Sequence, residues 1–255
     1  MTSRVYEKTR RRQQQERRPD ALPVDGLSNH ALSRLLARQP HPKEPLRTGK
    51  QVDTIFDTSP YLKDLVGAKM RKVSLAKIMK IDNEAAFKKA WVEYAPRTIN
   101  PATDRNFSAE EAENWLATKG VRAFQDEEKG VIHIRKERAD LGTQIHEGMH
   151  AHSHDRWSSK MNYAVNEGVT EYFTRKVGPE VDVQRDDSSF LREYTSATHL
   201  VTVATESVVA AAYFEGDLDN LKKAVDGAKG AGTWGKWTGH LEVNEFKAAN
   251  KLLTS

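Results

Sequence analysis

The chain contains no cysteine. Disulfides and thiolate metal sites are therefore excluded, and any metal must be held by His, Asp or Glu. No apolar run approaches the roughly 18 residues that a membrane span requires. The first residues also lack the apolar core of a secretory signal peptide, which predicts a protein that stays in the cytoplasm of its producing cell or leaves by an unusual route. Hydrophobic residues are scarce, 38% of 255 against 30% charged, so part of the chain is not expected to join a core.

The charge is unevenly spread. Residues 1–50 carry 12 Lys and Arg against 5 Asp and Glu, while the remaining 205 carry 28 against 31. The net of +4 thus describes a basic arm on a mildly acidic body, and the sequence predicts two parts, an arm over 1–50 and a single domain over 51–255. The arm opens with the run Arg10-Arg11-Arg12-Gln13-Gln14-Gln15-Glu16-Arg17-Arg18 and has prolines at 19, 23, 40, 42 and 45. Such a composition cannot bury enough apolar surface to offset the entropy of ordering. One amphipathic island, Leu27, Ala31, Leu32, Leu35 and Leu36, predicts a two-turn helix too short to stand alone. No aromatic side chain is interleaved with the basic run, and the body is acidic; both disfavour nucleic-acid binding.

Helical periodicity covers 60–91, with Asp82 or Asn83 as a cap. Ser108-Ala109-Glu110-Glu111 forms a capping box for a helix stopped by Gly120. The period then changes to two strands, Val121–Phe124 and Val131–Ile134, around the turn Asp126–Gly130. Asp140 caps the next helix, predicted to run to about Trp157. Another starts near Asn166 and ends at Gly178-Pro179. An apolar stretch from Phe190 to Tyr213 predicts a buried helix or two in line, Gly216-Asp217 restarts a helix, and 227–239, with five glycines and two tryptophans, is predicted as a loop. A helix over about 243–253 ends the chain. The fold class is α+β, mainly helical, with a short β-hairpin or small sheet before the helix at 141.

That helix carries His146-Glu147-Gly148-Met149-His150, an HExxH pentapeptide. Histidines four apart lie on one face, one turn above the other, so both imidazoles can reach one ion, with Glu147 beside it to take a proton from a metal-bound water. A catalytic zinc needs a third protein ligand. The longer metzincin pattern fails, because Ser153 and Arg156 stand where it requires Gly and His. His152 lies on a different face, and His154 lies two turns from His146. Glu167, seventeen residues past His150 at the start of the following helix, is the preferred ligand. Glu171, one turn further on the same face, would accept the second N–H of a histidine; the exchanged assignment, Glu171 as ligand and Glu167 as support, stays open.

His146-Glu147-x-x-His150 followed by Asn166-Glu167-Gly168-x-x-Glu171-Tyr172 resembles the gluzincin metallopeptidases. The resemblance covers about residues 130–174, with a slightly shorter gap between motifs and without large flanking domains. It implies a zincin-like core, a Zn2+ cofactor and peptide-bond hydrolysis of a protein or peptide substrate. It also implies that His146, His150 and Glu167 bind the metal, that Glu147 is the general base, and that the oxyanion donor is a Tyr or His beyond the third ligand. Tyr194 and His199 are the choices, Tyr194 preferred. The strand Val131, Ile132, His133 and Ile134 occupies the place of that family's substrate-binding edge strand. Separately, Asp25–Pro40 is similar to N-terminal segments of proteins from bacterial extracellular contractile injection systems. This implies that the arm is a loading signal for such a system and the body a toxin or effector delivered into a target cell. The alternative is a non-catalytic, zinc-stabilised structural or cargo protein of such an assembly.

Overall fold

In β5, Val131–Arg135, the side chains part to two sides of a small sheet, and the whole domain is arranged around that division. Ile132 and Ile134 are buried in the main core with Met79, Leu141, Ile145 and Met149. The His133 ring stacks on Phe124 at 4.8 Å on the other face, where Phe124 joins Phe87, Trp91, Phe107 and Leu116 in a second, smaller core. Successive side chains of a strand point to opposite faces, so a strand covered on both sides shows no apolar/polar alternation.

This computed structural model describes residues 45–100, 105–126, 128–185 and 190–255. The polybasic run, the predicted helix over 27–36 and the injection-system resemblance at 25–40 lie outside the described residues. The packed body takes in residues before 51. Leu46 packs against the main core, and the Arg47 backbone is held from both sides by the Gln144 amide, N–H to Oε1 at 2.8 Å and Nε2 to the carbonyl at 2.7 Å.

The helices before the sheet are α1 (Gly49–Thr58), closed by a Thr48/Gln51 capping box, α2 (Pro60–Leu65) and the short α3 (Leu75–Ile78). Strand β1 (Met79–Asp82) follows at once. It was not foreseen in the helical pattern expected over 60–91, and it lies just before Asn83, an expected cap of the second helical segment. α4 (Glu84–Tyr94) is capped by Asn83. β2 (Ile99–Asn100) and β3 (Arg105–Asn106) form a two-stranded antiparallel pair. α5 (Ala109–Lys119) has the predicted capping box and ends on Gly120 in the left-handed region. β4 (Ala123–Asp126) and β5 form the predicted hairpin, the first strand two residues later than expected.

The sheet order is β1-β5-β4, with β1 parallel and β4 antiparallel to β5. The register pairs Met79 to Asp82 with Ile132 to Arg135 on one side and Ala123 to Asp126 with Ile134 to Val131 on the other. β5 is thus the central strand. Its backbone groups are used by neighbours, and the expectation that Val131, Ile132, His133 and Ile134 form a substrate-binding edge is overturned. Among the described residues, the outer strands of the sheet are β1 and β4. α6 (Leu141–His152), capped by Asp140, runs closest to β4.

α6 ends earlier than predicted. Ser153 donates its hydroxyl to the His150 carbonyl, the His154 amide turns away to Tyr213 O, and His154 caps α7 (Asp155–Lys160). α8 spans Tyr163–Val177 with Asn162 as its cap, three residues before the predicted start. The stretch from 190 is α9 (Leu191–Ala204), broken at Thr205 (φ +72°), then α10 (Glu206–Ala210) and a π turn over Ala211–Glu215. α11 (Leu218–Lys229), α12 (Thr233–Glu242) and α13 (Phe246–Thr254) complete the chain. The predicted loop at 227–239 is mostly helical, because Trp237 is a core anchor, 1% exposed, that fixes α12 in place. Burying a large apolar side chain stabilises by about 1.5–3 kcal/mol, enough to outweigh the roughly 1 kcal/mol cost of a helical glycine. No described helix is long and apolar enough to cross a membrane.

Candidate metal centre

α6 and α8 pack together, and the contact brings the two motifs onto one point. His146 Nε2 lies 3.2 Å from His150 Nε2 and 3.1 Å from Glu167 Oε2, and His150 Nε2 lies 3.5 Å from Glu167 Oε1. One donor atom from each of these residues falls within 4.8 Å of the others. Two imidazole nitrogens and a carboxylate oxygen, converging in a chain without thiols, form a donor set that could hold a divalent metal ion.

The outer nitrogens are also engaged. His146 Nδ1 donates to Glu171 Oε2 at 3.1 Å. His150 Nδ1 faces Thr170 Oγ1 at 3.2 Å, and Thr170 Oγ1 is 2.8 Å from the Tyr213 hydroxyl. Two successive turns of α8 therefore serve the pair: Glu167 and Glu171 reach His146, and Thr170 reaches His150. The Thr170–Tyr213 support escaped sequence reasoning, since Tyr213 is 43 residues from Thr170 and no local pattern links them.

Glu171 is wholly buried and carries two guanidinium partners. Arg185 donates from Nε to Oε1 at 3.1 Å and from Nη2 to Oε2 at 2.8 Å, and Arg175 donates from Nε to Oε1 at 2.9 Å. Burial pushes the carboxyl up, but His146 and Arg185 outweigh it and hold its pKa at about 2. Burial likewise pulls the His146 imidazole down; the hydrogen bonds of Glu167 and Glu171 overcome this and carry it to about 9. Glu167 is raised by burial and lowered more by His150 and His146, and ends well below the usual carboxylate range. Glu147 goes the other way. Burial pushes it up, and the nearby charges of His146 and His150 offset this only in part.

Two glycines make the packing feasible. A Cβ on Gly168 would sit 2.4 Å from the Glu193 carbonyl oxygen, so only glycine lets α9 cross α8 at this depth. On Gly142 it would stand 2.9 Å from Arg185 Cδ, blocking the path by which Arg185 passes over α6 to Glu171. Asn166, the first residue of the Asn-Glu-Gly segment, accepts from the buried Trp157 indole at 3.0 Å and ties α7 to α8.

The residues expected as oxyanion donors make other contacts. The Tyr194 ring stacks on Tyr172 at 6.3 Å and lies under the Arg175 guanidinium at 4.4 Å. His199 lines a surface cavity of about 510 Å³ with Thr202, Lys229 and Leu253. His152 and His154 are also occupied away from the centre. His152 Nδ1 donates to the Arg71 carbonyl at 2.7 Å, with its ring on Phe56, and His154 is wedged under the turn at Gly216. His133 pairs with Asp82 at 2.6 Å on the far face of the sheet.

Tyr163 was missed. It is the first residue of α8, one turn before Glu167 on the same face. It is 66% exposed, yet crowding by protein atoms, then the charges of Glu167, Glu193 and Glu147, push its hydroxyl above the usual range. The signal was Asn162, whose side chain caps the helix by accepting from Val165 N at 3.0 Å; starting the helix there puts Tyr163 in phase with both glutamates.

No protein-family model, curated protein or solved structure matches this chain.

Proposed function

We propose that the protein is a gluzincin-like zinc metallopeptidase with a zincin-like core, hydrolysing internal peptide bonds of a protein or peptide substrate. The observation that carries this reading is the meeting of His146, His150 and Glu167 with donor atoms within 4.8 Å of one another, with Glu147 on the same turn of α6. A bound zinc would supply a Lewis acid and bring the pKa of its water toward neutrality. His146, His150 and Glu167 would hold it, and Glu171 and Thr170 orient the two imidazoles. Glu147 takes the proton of the attacking water and delivers it to the leaving nitrogen; burial that raises its pKa favours a group that cycles between the two states. The Tyr163 hydroxyl, one turn before Glu167 on the same face of α8, donates to the oxyanion of the tetrahedral intermediate. No described strand pairs with the outer edge of β4, and β4 runs beside α6, so an extended substrate adds there as a further strand, bound mainly through its backbone.

The resemblance at residues 25–40 supports, within the same proposal, a body loaded through its basic arm into an injection system and delivered as an effector. The decisive experiment is metal analysis of the full-length protein beside proteolysis of candidate substrates, for wild type and Glu147→Gln. About one zinc per chain in both, with cleavage only by wild type, is the expected outcome. Stoichiometric zinc without any difference in cleavage would mean a zinc-stabilised structural protein, and failure to take up zinc at neutral pH would overturn the reading.

A further inference from the structure

We infer that Arg185 and Phe190, both from the connection between α8 and α9, are positioning residues that hold the His146 ring from two directions, so that its Nε2 faces His150 and Glu167. The inference deepens the metallopeptidase reading and rests on it for the ring's purpose, although the clamp itself is a property of the metal-free chain.

Arg185 acts through Glu171. Its Nε and Nη2 meet the two carboxylate oxygens at 3.1 and 2.8 Å, a two-point fork that fixes the carboxylate plane as a point charge would not. The oxygen taken by Nη2, Oε2, is the one that accepts from His146 Nδ1 at 3.1 Å. The guanidinium side chain is 8% exposed, and Gly142 leaves the room it needs. Phe190 acts on the ring face. Its phenyl lies 5.0 Å from the imidazole centroid and 6° from parallel, so the imidazole cannot rotate about its last torsion without losing that contact. Phe190 holds this place with φ +49°, a left-handed conformation that a bulky residue keeps only where its surroundings over-determine it. Edge and face are thus restrained by separate residues. A ring held in this way loses little freedom when Nε2 is recruited as a ligand.

The test uses the full-length protein and two readouts. In the metal-free protein, NMR of 15N-labelled histidine follows the Nδ1–H proton of His146 that is shared with Glu171. In the zinc-loaded protein, transfer of metal to a chelator gives the release rate. Wild type is expected to show a slowly exchanging Nδ1–H. Arg185→Gln and Phe190→Ala should each lose it and release zinc about tenfold faster, the size usual for removing a group that orients a ligand. Phe190→Gly, which relieves the backbone while removing the ring, should behave as Phe190→Ala; wild-type behaviour would show that backbone conformation, not the ring, matters and would overturn the role of Phe190. If Arg185→Gln fails to fold, Arg185→Lys decides the other half, because it keeps the charge and loses the fork. Wild-type exchange and release in Arg185→Lys would overturn the role of Arg185. A wild type that takes up no zinc would sink the metallopeptidase reading while leaving the exchange measurement to judge the clamp.

Discussion

Glu171 and Glu167 approach the same imidazole from opposite sides: Oε2 of Glu171 lies 3.1 Å from Nδ1 of His146, and Oε2 of Glu167 lies 3.1 Å from Nε2. One turn of α8 separates the two acids, and that turn separates their roles. Only the Nε2 side also contains His150. Zinc content after dialysis should therefore fall most in Glu167→Ala, by more than about 100-fold in affinity, and by about 10- to 100-fold in Glu171→Ala. The reverse order would make Glu171 the ligand.

Protonation of His146 sets the pH dependence. In the metal-free protein its pKa is raised from 6.5 to about 9, so the stability it contributes is fully present below 6.5 and lost as pH rises through 9. Glu171 is depressed from 4.5 to about 2; its contribution is present above 4.5 and lost as pH falls toward 2. Zinc needs the neutral imidazole and competes with that proton, so its apparent affinity should rise about tenfold per pH unit between about 7 and 9. Thermal melts with and without zinc should move apart as pH rises over this range. A separation that does not change with pH would rule out His146 as the protonated competitor.

Tyr163→Phe should lower kcat by about 100- to 1,000-fold, the usual loss for one oxyanion donor, with KM and zinc content unchanged. Tyr194→Phe and His199→Ala should stay within about threefold of wild type, since Tyr194 packs on Tyr172 and His199 lines a surface cavity that contains none of the metal-site residues. A large kcat loss in Tyr194→Phe alone would return the donor role to Tyr194.

Gly168→Ala separates propensity from packing. In an open helix, alanine would be favoured over glycine by about 1 kcal/mol. Here the added Cβ meets the Glu193 carbonyl oxygen at 2.4 Å, and the expected change is a destabilisation of about 1–3 kcal/mol, read by urea unfolding. A variant more stable than wild type would show that α9 can move off α8 without cost.

Some of this was legible in the residues because it depends on neighbours within a turn. The caps at Asn83, Ser108, Asp140 and Asp217 each accept a backbone N–H three residues on, and the shared face of His146 and His150 follows from helical spacing alone. The Thr48/Gln51 capping box was equally local, but its basic, proline-rich surroundings concealed it. The loop predicted at 227–239 fails for a related reason: glycine count measures local preference, whereas the burial of Trp237 is a tertiary contact.

By itself, then, the sequence determined a mainly helical α+β protein, the helix that carries two histidines and a glutamate on neighbouring positions, and the acidic pair on a later helix, but not the short α7 between them. Tertiary structure alone decided that β5 is central and β4 runs beside α6, that Tyr194 packs against Tyr172 and Arg175, and that Arg185 reaches Glu171, Thr170 and Tyr213 back His150, and Phe190 stacks on His146. Strand order and these supports join residues far apart in the chain, and a pairing at that distance leaves no periodic trace.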